Sequence, residues 1–263
     1  MWILSHRRTV SLLGALCAGT SLAAGLHARA PQRPVAMTVS AAASLKDALT
    51  EIDREFERAQ PGVRVDLNSG ASGTLEMQIE KGAPVDVFVS AAPEPMNTLA
   101  AKGLLLPETR VDLLRNELVL VVPKESRSVA DFRDLDRTDV RIVAMGDPRT
   151  VPAGIYAQQV LTALGIYTTV KSKAVLATDV RQVLADVETG SADAGLVYAT
   201  DAAISPQVRV VAAAPAGTHE AIVYPGAVLR DAVHPDAGRA YISFLRSPAA
   251  RTIFSRYGFL PAT

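Results

Sequence analysis

Short apolar runs alternate with segments of helical periodicity along most of this chain, and that alternation restricts the fold more than any other feature. Residues 35–42 read as a strand. From Ser44 the apolar side chains of Leu45, Ala48, Leu49, Ile52, Phe56 and Ala59 then fall every three or four positions, as one face of a helix requires. Residues 63–68 repeat the strand and 72–81 the helix. A further strand over 85–90 leads to a short helix ending at Gly103, and a longer apolar run spans 117–122. Beyond Pro123 the pattern restarts, with a strand at 141–145, helices at 153–164 and 180–187, and strands at 193–198 and 221–229. Two short helical stretches carrying Tyr241, Phe244, Leu245, Ile253 and Phe254 follow. Such alternation implies an α/β protein with mostly parallel sheets, because each helix carries the chain back to begin the next strand in the same direction. Two units are indicated, one from residues 31–118 plus 226–263 and the other from 119–225, joined without a flexible linker through 117–122 and 222–229. That arrangement leaves a cleft, and α/β sheets present ligands at the carboxyl ends of their strands, where helices begin.

The 263 residues are 49% hydrophobic, enough to bury a core and to exclude intrinsic disorder. Lys and Arg together number 27, balanced by 27 Asp and Glu, so no basic stripe exists to hold nucleic acid or an anionic membrane. The first thirty residues stand apart. Arg7 and Arg8 precede an apolar run over 10–26, and Ala28-Arg29-Ala30 has the small-x-small form of a signal-peptidase site. The expectation is an export signal over 1–30, cleaved near Ala30 to release a periplasmic protein. The glycines at 14, 19 and 25 argue against a permanent anchor, while the general and twin-arginine routes both remain open. Cys17 follows Leu16, too bulky for a lipoprotein cleavage site, and leaves with the signal. Cleavage leaves 24 basic and 27 acidic side chains, a net charge near −3, and no cysteine. Only His219 and His234 remain, far apart and without a second histidine or carboxylate at ligand spacing, so no metal site is expected.

The helix starts carry the functional reading. Ser44-Leu45-Lys46-Asp47 has the form of a capping box, and taken alone it reads as a plain helix cap. Ser69-Gly70-Ala71-Ser72-Gly73-Thr74 precedes the second helix with residues small enough for a ligand to approach backbone amides, although a plain turn would use the same residues. Val151-Pro152-Ala153-Gly154 puts proline in the first turn of another helix, and Thr178-Asp179-Val180-Arg181 opens one more with a capping residue. Four helix N-termini around one cleft would supply partial positive charge and free N–H donors, a site for an anion. Tyr198, at a strand end, reads on its own as a packing aromatic. Lys46 and Arg181 flank these positions, and one or two residues past a cap their side chains are expected to point to solvent.

Several of these segments together resemble the periplasmic molybdate-binding proteins of ABC importers, the ModA family. The likeness rests on Ala41-Ala42-Ala43-Ser44-Leu45, the Ser72 loop before Leu75-Glu76, residues 82–91, Asp179-Val180-Arg181, Gly195-Leu196-Val197-Tyr198 and Arg256-Tyr257-Gly258-Phe259. Its most specific part is Gly146-Asp147-Pro148 running into Val151-Pro152-Ala153-Gly154-Ile155-Tyr156-Ala157, and it spans essentially all of the chain after the signal. The resemblance implies a type II periplasmic binding protein, two lobes of sheet flanked by helices with the ligand in the cleft. It further implies capture of molybdate, and of tungstate, for a membrane permease, by a monomer with no catalytic activity and no cofactor. In that family two serine hydroxyls, backbone amides and a tyrosine hydroxyl hold the oxyanion, roles that fall here on Ser44, Ser72, Ala153, Val180 and Tyr198. Molybdenum would enter only as bound molybdate, with no metal counter-ion. Gly73 stands where some relatives are expected to carry another hydroxyl residue. A receptor for sulfate or another tetrahedral oxyanion is the nearest alternative. A secreted serine hydrolase is the alternative from another class, but Gly70-Ala71-Ser72-Gly73 lacks the second spaced glycine of a nucleophile elbow, and only His219 and His234 could act as bases.

Overall fold

The computed structural model describes residues 34–262, so the expected export signal and its cleavage point near Ala30 lie outside the described residues. In the first half β1 (Val35–Ala42), α1 (Lys46–Ala59), β2 (Val63–Gly70), α2 (Ser72–Glu80), β3 (Val87–Val89) and α3 (Pro93–Ala101) alternate as the periodicity requires. Two strands, β4 (Val111–Arg115) and β5 (Leu118–Pro123), follow with only Asn116 and Glu117 between them. The next run comprises β6 (Val143–Gly146), α4 (Pro152–Ala163), α5 (Tyr167–Ser172), β7 (Ala174–Ala177), α6 (Val180–Glu188), β8 (Ala194–Tyr198), α7 (Ala199–Ala203) and β9 (Val208–Ala213). The elements β10 (Val223–Val228), α8 (Pro235–Leu245), α9 (Pro248–Arg256) and β11 (Leu260–Pro261) complete the fold.

The strands form a six-stranded sheet in the order β11-β4-β10-β3-β1-β2 and a five-stranded sheet in the order β7-β6-β8-β5-β9. The chain changes sheets at Asn116-Glu117 and returns between β9 and β10. Pairings of β1 with β2 and β3, and of β6 with β7 and β8, are parallel. Those made by β5, β10 and β11 are antiparallel. Both sheets are therefore mixed, which corrects the expectation of mostly parallel sheets. Helical crossovers produce parallel neighbours, but a strand arriving from the other sheet needs no crossover and runs in the opposite direction. The strands β4, β7 and β9 escape the periodicity altogether. The first and last are only half buried, and β7 leaves Val175 and Leu176 exposed.

Burial follows the apolar faces. On α1, Ala48, Leu49, Ile52 and Phe56 are buried against the sheet, each large side chain contributing about 1.5–3 kcal/mol. The Phe56 ring meets Tyr241 and Phe244 of α8 edge-on, with centroids 5.1 and 5.5 Å apart. On the other half α6 buries Val180, Val183, Leu184 and Val187. The result is that the carboxyl ends of β1, β2 and β8 and the first turns of α2, α4 and α6 face one enclosed space.

Candidate ligand-binding site

Each of the five positions reaches that space by a local device. Ser72 is the first residue of α2 and has no exposed surface. Its Oγ accepts the Ala91 N–H at 2.9 Å, so its own proton is free to point into the space. At the start of α4, Pro152 has no N–H, and the amides of Gly154 and Ile155 both turn back to the Val151 carbonyl, at 2.9 and 3.1 Å. Ala153 thereby owns the first amide with no partner among the described residues. Gly154 makes this turn possible, because a Cβ there would run into the Gly146 carbonyl at the end of β6. Asp179 caps α6 as its sequence suggested, and its carboxylate accepts the N–H groups of Arg181 and Gln182 at 2.8 and 3.1 Å. The Val180 amide, ahead of both, has no partner among the described residues.

Ser44 arrives differently from expectation. The chain enters α1 through a tight 3-10 turn, Ala43–Leu45, so Ser44 lies inside the turn rather than ahead of a helix, and no side-chain cap bond forms there. Its Oγ instead sits 3.0 Å from the Tyr224 hydroxyl of β10. Asp47, the other half of the supposed capping box, faces Arg181. Tyr198 ends β8, is 1% exposed, and its hydroxyl has no partner among the described residues. Burial pushes that phenol well above its ordinary value, so it stays protonated and can only offer its O–H to an anion.

All five residues line a single tight cavity of about 10 Å³, together with small neighbours such as Ala42, Gly70 and Ala91. No Lys, Arg or His is on its wall, and the one acid there, Asp179, is committed to its two amides. Donors therefore dominate, reinforced by the positive ends of three helices. Neither histidine borders it. His219 packs edge-on against Tyr156 at 5.8 Å, and the His234 amide bonds to Asp86 at 2.7 Å, so Ser72 has no base beside it. Among the described residues no cluster of His, Cys, Asp and Glu could hold a metal ion.

The expected solvent-pointing pair divides. Lys46 is exposed, but Arg181 folds back onto Asp47 and Asp201. Its guanidinium lies 2.7 Å from the fully buried Asp201 and 2.7 Å from Asp47, and donates to the Ser44 carbonyl at 3.3 Å. The reason is Asp201, whose buried carboxylate draws the long side chain inward; burial raises that acid to about 7 although Arg181 opposes the rise. Sequence reasoning also missed Tyr224 and Asn116, which stand behind Ser44. No local motif marks them, since their partners lie far along the chain.

Two α/β halves joined by a double crossing and closed on a donor-lined cavity define a protein built to enclose a small solute. Comparison with known proteins gives the same class, for the family model of bacterial extracellular solute-binding protein matches residues 37–260. The molybdate-binding protein ModA of Escherichia coli is 40% identical over 93% of this chain and 96% of its own length, and that of Haemophilus influenzae 38% identical over 85% and 89%. The solved structure of the Azotobacter vinelandii periplasmic molybdate-binding protein superposes with a TM-score of 0.78 at 27% identity, covering 86% of this chain and all of that one. The chain belongs to the bacterial extracellular solute-binding proteins and, within them, to the ModA family. It is thus the solute-binding component of an ABC transporter.

Proposed function

We propose that this chain is a periplasmic receptor that binds molybdate, and tungstate with it, and passes the oxyanion to the membrane permease of its importer. It acts as a monomer, catalyses no reaction and needs no resident cofactor. The hydroxyls of Ser44, Ser72 and Tyr198 and the amides of Ala153 and Val180 donate to the oxyanion. The observation that carries this reading is the composition of the cavity wall: hydroxyl and amide donors converge on it with no cation and no carboxylate free to take a ligand proton. Such a wall suits a fully deprotonated oxyanion. A ligand that retains a proton would set it against donors, an unmet hydrogen bond worth about 1–3 kcal/mol. Sulfate carries no proton but has shorter bonds, so donors fixed for a larger anion stand too far from its oxygens.

Calorimetric titration of the chain without residues 1–30 against molybdate, tungstate, sulfate and phosphate tests the proposal. Molybdate and tungstate should bind alike, sulfate far more weakly and phosphate weakest. Sulfate binding as tightly as molybdate would replace the molybdate assignment with that of a sulfate receptor.

A further inference from the structure

Asn116 and Tyr224 lie outside the cavity wall, yet their hydrogen bonds settle which way the Ser44 hydroxyl points. The Asn116 Oδ1 accepts the Glu117 N–H at 2.9 Å, and because a backbone amide can only donate, this fixes the orientation of the side-chain amide. Both Nδ2 protons are then committed, one to the Thr200 hydroxyl at 2.9 Å and one to the Tyr224 hydroxyl at 3.0 Å. Tyr224 is fully buried, and its oxygen is already an acceptor. Its own proton has one acceptor among the described residues, Ser44 Oγ at 3.0 Å. Were Ser44 to donate to Tyr224 instead, the phenolic proton would be buried with nothing to receive it. The direction of the chain is therefore set from its far end: Asn116 donates to Tyr224, Tyr224 to Ser44, and Ser44 to whatever fills the cavity.

We propose that Asn116 and Tyr224 are specificity-determining positioning residues, which hold the Ser44 proton towards the cavity and so disfavour oxyanions that carry a proton of their own. This rests on the oxyanion reading above. Asn116 is well placed for the task, since it sits at the point where the chain changes sheets and gathers Thr200 of one half and Tyr224 of the other. Burial keeps the Tyr224 phenol protonated far above neutral pH, so the relay does not reverse by titration of its middle member.

Asn116→Asp tests the polarity with almost no change of shape. A carboxylate can accept the Tyr224 proton; Tyr224 then accepts from Ser44, and Ser44 Oγ turns its lone pairs to the cavity. At about pH 8 molybdate, sulfate and the main form of phosphate are all dianions, so an added negative charge weakens them alike and only the phosphate proton tells them apart. The expected result is that phosphate gains at least about tenfold on molybdate in competition titrations, while the ratio of molybdate to sulfate stays within about threefold. Tyr224→Phe is the second variant, because it keeps the ring contacts to Tyr198 and Phe259 at 5.9 and 5.5 Å. It frees one Ser44 lone pair and should narrow the same ratio several-fold, with thermal melting reporting that each variant is folded. Parallel weakening of phosphate and molybdate in both variants overturns the proposal. A wild-type chain that binds no molybdate overturns the oxyanion reading itself, and the two failures are distinguishable in one set of titrations.

Discussion

Ser44 and Ser72 are both buried serines in the first turn of a helical segment, but their removal has different consequences because their second partners differ. Ser72→Ala deletes one donor to the ligand and also strands the buried Ala91 N–H. Ser44→Ala strands the Tyr224 proton instead. Either should weaken molybdate by about ten- to a hundred-fold, the value of a hydrogen bond to a charged group, and lower stability by about 1–3 kcal/mol for the orphaned donor. Calorimetry beside thermal melting separates the two effects, and unchanged affinity in both variants would take these serines out of the site. The residues that a sequence reveals are those whose geometry is set locally. Pro152 before Ala153 and Asp179 before Val180 each dictate which amide stays free, and those signals span two residues. Tyr224 is bonded to residues 108 and 180 positions away, so nothing in its own neighbourhood announces it. Arg181 was misjudged for the same reason, because its direction is set by Asp201, from another helix, and not by its place in α6.

Between elements, one pH-sensitive contact lies where α8 packs on α1. There the Tyr241 hydroxyl donates to the buried Asp53 carboxylate at 2.6 Å. Burial raises that acid from 3.8 to about 7, against the lowering effect of the tyrosine. An acid with a raised value binds its proton more tightly in the folded chain than in the unfolded one. Its contribution to stability is therefore fully present below about pH 4 and is lost as pH rises through about 7, with a ceiling of about 4 kcal/mol. Asp201 shifts in the same direction. The ligand-free chain should melt at a lower temperature at pH 8 than at pH 5 insofar as these two acids govern it. Asp53→Asn, which keeps an oxygen for Tyr241, should lose less stability over that interval than the wild type. Equal losses in the two proteins would mean that Asp53 is not the titrating group. Element order was legible because the buried faces of α1, α2, α4 and α6 are periodic, whereas strand direction was not, since nothing in β5 or β10 tells the reader that the chain reaches them from the other sheet.

At the scale of the whole molecule, the two halves touch through few polar contacts. Across the cleft, the Gly73 N–H of α2 donates to the Thr150 carbonyl at 2.9 Å, and Arg181 of α6 reaches Asp47 and the Ser44 carbonyl. Each such contact is worth about 0.5–1.5 kcal/mol net, and the half-exposed pair with Asp47 less. A solute that bonds to Ser44 and Ser72 on one half and to Ala153, Val180 and Tyr198 on the other favours the closed state over an open one. Gly73 is the residue on which this can be tested. Where some relatives were expected to carry a hydroxyl side chain, a Cβ would stand 2.8 Å from the Thr150 carbonyl oxygen and 3.0 Å from its Cα, both backbone atoms that cannot swing aside. Gly73→Val should therefore hold the cleft slightly open while leaving every proposed ligand donor in place. Its affinity for molybdate should fall at least about tenfold, because donors on the far half then lie beyond hydrogen-bond reach. In X-ray scattering the wild type should contract on saturation with molybdate and the variant contract less. Full contraction together with wild-type affinity in Gly73→Val would show that closure does not pass through the Gly73–Thr150 contact.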